Sequence, residues 1–393
     1  MKITYTSPNR SHHYPYAKSI HDLNHLYAFV SGFSRLSPRS SLREIDDKLK
    51  RHDFFQTLYL TSLRANAPQS LIGLLNSLSN RRLDEVSYKW AKESDVFIFY
   101  RTQGLRSTTR LHQEGSSTLC VMEEVNSHVE YANQILLSEY QRLGYREIYR
   151  RDIDYDLRLK TYEQADCILC PSKFVEQSFL SKGFSADRLI KVNFGFPPIA
   201  RDVLEYNKTK NGVFRLLYVG QLHYRKGLHY AIEAFRKLRH PKKEFIIVGP
   251  KTTFTGLEKT RIPDGVYFTG PLKGEELQNQ YRKANVFVLP SLEEGLALVQ
   301  GEALSSGLPL IITHNTGGED IIKNGREGFV VSPGEIDPLA ERMQEMADNE
   351  LLAEQMSLAA LETAKNLGSW SKASGRLIAQ LENILKERNR RPN

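Results

Sequence analysis

From residue 214 onward the chain alternates short runs of β-branched and aromatic residues with helical patterns, and this alternation constrains the fold more than any other feature. The runs Phe214–Val219, 244–248, 266–269, 285–289, 309–312 and 329–331 are mostly apolar, as strands buried on both faces are. Between them, Leu228, Ile232, Phe235 and Leu238 approximate one helix face, and Leu339, Met343 and Met346 another, at spacings of three and four. Buried strands alternating with amphipathic helices predict an open, mostly parallel sheet covered on both sides. Ligands of such sheets lie beyond the carboxyl ends of the strands. Gly220, Gly249, Gly270 and Pro290-Ser291 all fall at those ends.

The first half repeats the plan less cleanly, with strand candidates at 3–6, 26–30, 97–100, 119–122 and Cys167–Cys170 and helical stretches at 131–143 and 173–182. The chain leaves this half around Pro197-Pro198, and the polar stretch 207–212 reads as a linker. The expected class is α/β, with two Rossmann-like α/β/α domains facing across a cleft. Residues 1–200 form one, residues 212–372 the other, and residues 373–393 a C-terminal helix and basic tail.

Several classes are set aside. The best apolar stretch, 71–78, is broken by Gly73, Asn76 and Ser77 and falls well short of the roughly 18 residues needed to span a bilayer. The polar N-terminus lacks the apolar core of a signal peptide, and three cysteines make no disulfide framework. A cytoplasmic setting follows. Cys167 and Cys170 have CxxC spacing but read as a buried strand. The net charge is +8; residues 1–110 hold 17 of the 54 Lys and Arg against 9 of the 46 Asp and Glu, so the entire excess lies there. With the rest of the chain balanced and no nucleic-acid motif present, no nucleic-acid partner is expected.

The segment from Pro290 to Pro309 runs from a strand end through Gly295 into a helix, whose first free N–H groups suit a phosphate. Glu294 and Glu302, eight apart, do not share a helix face; with Glu294 in the preceding loop, both carboxylates can flank one ligand and accept from vicinal hydroxyls. Val219-Gly220-Gln221 and Arg225-Lys226-Gly227 again join a strand end to a helix, and Lys226 there can neutralise a diphosphate. Taken singly, Lys226 reads equally as a solvated lysine and Glu294 as a surface glutamate. Together they favour a nucleotide-diphosphate site.

Residues 216–343 resemble the retaining glycosyltransferases of family 4, of GT-B architecture. The matching elements are Tyr218-Val-Gly-Gln-Leu222 with Arg225-Lys-Gly227, Phe268-Thr-Gly270, Val286-Phe-Val-Leu-Pro-Ser291, the Glu294/Glu302 pair, Ser306-Gly-Leu-Pro309 and Gly317-Gly318 with Gly328. The resemblance implies that Glu302 holds the donor ribose, Glu294 contacts the donor sugar and Lys226 the diphosphate. It also implies that Gly295, Leu296, Ala297 and Leu298 cradle phosphate and sugar, and that Gly270 to Leu272 lie near the base. It further implies retention of the donor's α configuration, metal independence, and no cofactor beyond the nucleotide sugar, which is the donor substrate. Two positions depart from the family: Gln221 stands where an arginine is usual, leaving Gly220, Gln221 and Arg225 to serve the phosphates, and Leu296-Ala297 replaces Phe-Gly.

In the first domain, relatives place a histidine or a Glu-Val-Asn sequence beside the reacting sugar. Glu124, Asn126 and His128 are the corresponding candidates for orienting acceptor or sugar; the plainer alternative is a helix cap for Glu124 and a solvated His128. His12 and His13 lie in a polar, aromatic stretch read as a loop, either touching the acceptor or solvated. Asp152, Asp154 and Asp156, flanked by Arg151 and Arg158, read as a solvated, charge-paired face rather than a cation site.

The function expected is transfer of a hexosyl unit from a nucleotide-diphosphate sugar, UDP rather than GDP, to a sugar or lipid-linked glycan in polysaccharide or glycoconjugate biosynthesis. The alternative is a non-catalytic nucleotide-sugar binding protein of the same architecture. Arg35, Arg39, Arg43, Lys48, Lys50 and Arg51, with Leu42, Ile45 and Leu49 as a helical apolar stripe, read either as a surface helix or as peripheral contact with an anionic membrane at its inner face through residues 35–51.

Overall fold

The computed structural model describes residues 1–37, 43–65, 67–145, 154–196 and 212–390. The linker 207–211, Pro197-Pro198, Arg39, Leu42, Arg151 and Asp152 lie outside the described residues.

The first sheet contains β1 (Ile3–Ser7), β2 (Leu26–Ser31), β3 (Leu49–Arg51), β4 (Val96–Tyr100), β5 (Leu119–Glu123), β6 (Cys167–Cys170) and β7 (Leu189–Lys191), in the order β3-β2-β1-β4-β5-β6-β7. Its helices are α1 (His13–Asp22), α2 (Phe54–Arg64), α3 (Gln69–Ala91), α4 (Leu105–Gln113), α5 (Val129–Arg142), α6 (Tyr155–Gln164) and α7 (Lys173–Leu180). The second sheet contains β8 (Phe214–Val219), β9 (Lys243–Val248), β10 (Val266–Gly270), β11 (Val286–Leu289), β12 (Leu310–Thr313) and β13 (Gly328–Val331), in the order β10-β9-β8-β11-β12-β13. With it come α8 (Leu228–Lys237), α9 (Gly274–Lys283), α10 (Leu298–Ser305), α11 (Asp337–Asp348) and α12 (Glu350–Leu367), and α13 (Trp370–Arg390) closes the chain. All pairings in both sheets are parallel. Each sheet is a doubly wound Rossmann-like layer whose order reverses beside its first strand, β1 or β8.

The strand runs are buried because helices cover both faces. Phe97 and Phe99 face one core of the first sheet, and Val96 and Ile98 the other. In the second domain Leu228, Ile232 and Phe235 of α8 and Leu339, Met343 and Met346 of α11 enter one core, as their spacing predicts. Cys167 and Cys170 are buried free thiols in β6; burial pushes the Cys167 thiol up to about 12. The edge strand β10 stays open, with Tyr267 and Phe268 exposed.

Two local expectations change. Residues 13–16 are helix, not loop: Pro15 lies in the first turn of α1, where its missing N–H has no intrahelical partner to lose. The described part of 35–51 does not form an amphipathic helix: Arg43–Ile45 is a single tight turn with Ile45 fully buried, and Leu49 joins the edge strand β3. Arg35 there clamps the buried carboxylate of Asp53 at 2.9 Å. The expected C-terminal helix is α13, which carries Ala373, Leu377 and Leu381 at helical spacing and docks them in the first domain's core.

Candidate active site

The carboxyl ends of both sheets meet at one cleft. On the second domain the loop after β8 approaches the loop after β11 so closely that a Cβ on Gly227 would lie 2.0 Å from the Pro290 carbonyl oxygen. Gly227 also has φ of 63°, a left-handed conformation that glycine adopts without strain. The Leu292 N–H donates to the Arg225 carbonyl at 2.8 Å and locks the loops together.

Four charged side chains share this junction. Lys226 Nζ pairs with Glu294 Oε2. Arg225 Nη1 donates to the Glu293 carbonyl at 2.8 Å and reaches the carboxylates of Glu293 and Glu294 at 3.3 Å each. Burial pulls the Lys226 ammonium well below its usual range and Arg225 adds to that, against the attraction of Glu293. His223 caps the same turn by accepting from the Arg225 N–H, and burial, with Arg225 and Lys226 alongside, lowers it to about 4. Gly220 and the exposed Gln221 stand at the end of β8, where Tyr218 Oη donates to the Gln221 carbonyl at 2.8 Å.

Glu302 lies on α10 and accepts from Tyr281 Oη at 2.9 Å. Leu296 and Ala297 are buried, and α10 opens at Leu298, so the N–H groups of Leu298 and Val299 lie at its positive end. Gly270 ends β10, and Leu272 packs half-buried on the second core.

The two domains touch through the same loops. A Cβ on Gly295 would lie 1.6 Å from the Val125 carbonyl oxygen of the first domain, so only glycine allows this approach. Ser172 Oγ donates to the Gly295 carbonyl at 2.7 Å. Glu293 reaches across: it accepts from the Ser127 N–H at 3.0 Å, from Ser127 Oγ at 2.8 Å and from Asn126 Nδ2 at 3.2 Å. Burial pushes the Glu293 carboxyl up, but Arg225 and these hydrogen bonds outweigh it and hold it below its ordinary value. Beside the contact lies a cavity of about 260 Å³, lined by Arg101, Asn126, Asn133, Arg158 and Tyr155 of the first domain and His223, Arg225 and Glu293 of the second.

The first-domain candidates separate. Asn126 lies in the cleft between Arg101, whose Nη2 donates to it at 3.2 Å, and Glu293. Glu124 is fully buried behind it and accepts from Arg158 at 2.6 Å and from Tyr162 Oη at 2.9 Å. Arg158 is therefore a buried partner of Glu124, not part of a solvated face, while Asp154 and Asp156 open α6. His128 is buried and not solvated: it caps α5 by accepting from the Glu130 N–H at 3.2 Å and packs against Tyr162, Phe179 and Phe184. Burial lowers it to about 4. His12 and His13 are buried too, each 3.1 Å from the carboxylate of Glu123 at the end of β5, which Tyr5 Oη also bonds at 2.7 Å. Their ligand atoms lie within 4.8 Å of one another, the arrangement among the described residues that best matches a cation's needs near the cleft. Hydrogen bonds already satisfy it.

Glu293, Ser127, Arg101 and His223 were not singled out from the sequence. The only signal for Glu293 was its adjacency to Glu294, which itself pairs with Lys226 while its neighbour makes the inter-domain contact. Arg101 follows the run 96–100 and holds φ at 49°, a conformation rare for a side-chain-bearing residue.

Residues 201–363 match the family model for glycosyl transferases group 1. The chain is 29% identical over 228 residues to sulfoquinovosyl transferase SQD2 of Arabidopsis thaliana, covering 55% of this chain and 44% of that protein. It is 32% identical over 169 residues to glycogen synthase of Mycobacterium tuberculosis, covering 42% of this chain and 41% of that one. The chain thus spans less than half the length of these curated relatives. Among solved structures, Anabaena Alr3699/HepE in complex with UDP superposes with a TM-score of 0.66 at 15% identity, over 98% of this chain and 100% of the other. Sucrose-phosphate synthase from Thermosynechococcus elongatus superposes with a TM-score of 0.65 at 17% identity, over 99% and 100%. Identities this low speak to the fold alone. The second domain is thus similar to glycosyl transferases group 1 over residues 201–363, and the two facing parallel sheets share the fold of the solved glycosyltransferases.

Proposed function

We propose that the chain is a retaining glycosyltransferase of family 4 type that moves a hexosyl unit from a nucleotide-diphosphate sugar to a sugar or lipid-linked glycan, in polysaccharide or glycoconjugate biosynthesis and in a cytoplasmic setting. The observation that carries this reading is the convergence of Arg225, Lys226 and Glu294 on the strand-end cleft, beside the cavity shared with the first domain. UDP is the favoured nucleotide; HepE, the neighbour of like fold, binds UDP and glucose.

In the transfer, the bond from the anomeric carbon to the diphosphate oxygen breaks and a bond to the acceptor hydroxyl oxygen forms on the same face. The acceptor's proton passes to the departing phosphate. The diphosphate competes with Glu294 for Lys226 and Arg225, so donor binding releases that carboxylate to accept from sugar hydroxyls. Fixed cations and helix N–H groups stabilise the leaving charge, and domain contact excludes water. In this reading the cations of the loop serve without a metal, and no further cofactor is needed. A lipid-linked acceptor implies peripheral contact with a membrane.

Thermal shift with UDP-, GDP- and ADP-sugars, followed by donor hydrolysis without acceptor, tests the proposal. A UDP-sugar is expected to stabilise the protein most and to be hydrolysed slowly. Binding with neither hydrolysis nor transfer to any acceptor would instead establish the non-catalytic binding protein.

A further inference from the structure

The first domain carries an apolar surface that neither core uses. Of the twelve large apolar side chains exposed among the described residues, six fall between residues 36 and 74: Leu36, Phe54, Leu58, Leu63, Leu71 and Leu74. Leu36, Phe54 and Leu74 are 78%, 67% and 57% exposed. The helices α2 and α3 pack on each other as a hairpin, yet α2 buries only Gln56 and Ser62, and the first buried residue of α3 is Ser79. Ser79 Oγ donates to Gln56 Oε1 at 2.7 Å between the helices, alongside half-buried Phe55, Leu60, Ile72 and Leu75. No apolar residue from 54 to 78 enters any of the three hydrophobic cores. In the usual amphipathic arrangement the apolar stripe faces the protein, whereas here apolar side chains of both helices also face outward. An exposed apolar face of this extent marks an interaction surface.

The charge pattern selects the occupant. Residues 54–83 contain no Asp or Glu, while Arg64, Arg81 and Arg82 supply positive charge. Arg64, Arg81 and Arg82 are exposed; Glu85 pairs with Arg81 and Arg82 at the far end of the hairpin, Asp53 before α2 is taken by Arg35, and Asp154 lies near Tyr59 of α2. A twofold contact with a second copy would bring like patches of arginine together with no acid in the segment to pair them. An anionic bilayer satisfies both features, taking the apolar side chains below the headgroups and the arginines among them.

We propose that the α2–α3 hairpin is a membrane-docking element that lays Phe54, Leu58, Leu71 and Leu74 into the surface of an anionic bilayer. It replaces residues 35–51 as the contact. Phe54 and Leu58 lie one turn apart on α2, and Leu71 and Leu74 one turn apart on α3. The hairpin inserts without spanning: no helix among the described residues is long and apolar enough to cross a membrane. The proposal rests on the transferase reading only for the nature of the acceptor, which docking would bring within reach of the first domain.

Co-sedimentation of the full chain with vesicles of phosphatidylglycerol and phosphatidylcholine, and with phosphatidylcholine alone, tests it at low salt. The wild type is expected to partition onto the anionic vesicles. The double variant Leu58→Glu with Leu74→Glu, both at exposed positions, is expected to partition about tenfold less or worse while keeping its circular dichroism. Failure of the wild type to sediment overturns the proposal, as does sedimentation that the double variant leaves unchanged. A dimer on size-exclusion with light scattering that the double variant converts to monomer would reassign the face to self-association. Donor binding is read separately by the shift with UDP, so vesicle binding and the transferase reading can fail independently.

Discussion

The two sheets share one winding and differ in what stands at their carboxyl ends. After β5 of the first domain, Glu123 is held by Tyr5, His12 and His13, and Glu124 by Arg158 and Tyr162, all within their own domain and away from water. After β8 and β11 of the second, Arg225, Lys226 and Glu294 remain partly exposed and pair only with one another and with Glu293. A buried carboxylate with several donors is costly to unpair, whereas a cleft ion pair at the surface exchanges readily for a stronger anion. The first domain's strand ends therefore set shape, and the second domain's can exchange partners with a ligand.

The widest test of that contrast is Lys226→Ala. Removing the cation that a diphosphate would meet is expected to lower kcat/KM about 100-fold or more, corresponding to about 3–4 kcal/mol of transition-state stabilisation, with the fold intact. Glu302→Ala is expected to match it in turnover, with a further stability cost of about 1 kcal/mol because the Tyr281 hydroxyl loses its acceptor. Steady-state kinetics beside thermal melts separates the two effects. Near-normal turnover in both variants would mean that the second domain's strand ends are as structural as the first's.

Glu293 sharpens the comparison, since it is the cleft carboxylate that belongs to both sides, as Asp320 and Glu139 do away from the cavity. Truncation in Glu293→Ala leaves Ser127, Asn126 and Arg225 without a shared acceptor across the cleft. A loss of about 2–3 kcal/mol of stability is expected, together with a larger radius of gyration in small-angle X-ray scattering as the domains part. Glu293→Gln keeps an acceptor oxygen and should recover the compact radius while retaining a weaker hold on Arg225. If both variants stay compact and melt like the wild type, the inter-domain anchor lies elsewhere, and the contact at Gly295 and Ser172 is the first place to look.

The second domain was the more legible in sequence for a physical reason. Its strands other than the edge strand β10 are covered on both faces, so they appear as unbroken apolar runs, and its loops end on glycines that tight turns require. The first domain hides its plan in short edge pieces: β3 reads Leu-Lys-Arg and β7 Leu-Ile-Lys, with no alternation to betray them. The opening of α1 was obscured by His12, His13 and Pro15, which look like loop chemistry until the helix's first turn is known to tolerate proline. The pairing of Glu293 with Ser127 spans 166 residues of sequence, and no local pattern encodes a contact at that separation. Likewise the apolar stretch 71–78, too short to span a bilayer, gave no hint of its surroundings, and only the folded chain shows Leu71 and Leu74 facing outward.

His128 offers the smallest effect and the finest discrimination. The resemblance placed it beside the reacting sugar, whereas the structure has it capping α5 among aromatic rings. Its folded value of about 4 lies below the ordinary 6.5 because burial disfavours the imidazolium. The unfolded chain therefore takes up the proton first as pH falls. The stability this group contributes is complete above about 6.5 and is lost between there and about 4. His128→Asn keeps a capping oxygen but cannot titrate there. Denaturant melts at several pH values should show a flatter stability profile for the variant across that window, with kcat/KM within about threefold of wild type, the range of a structural substitution remote from reacting atoms. A large loss of turnover with an unchanged pH profile of stability would instead make His128 a participant in transfer, and the first domain's strand ends would then carry chemistry as the second's do.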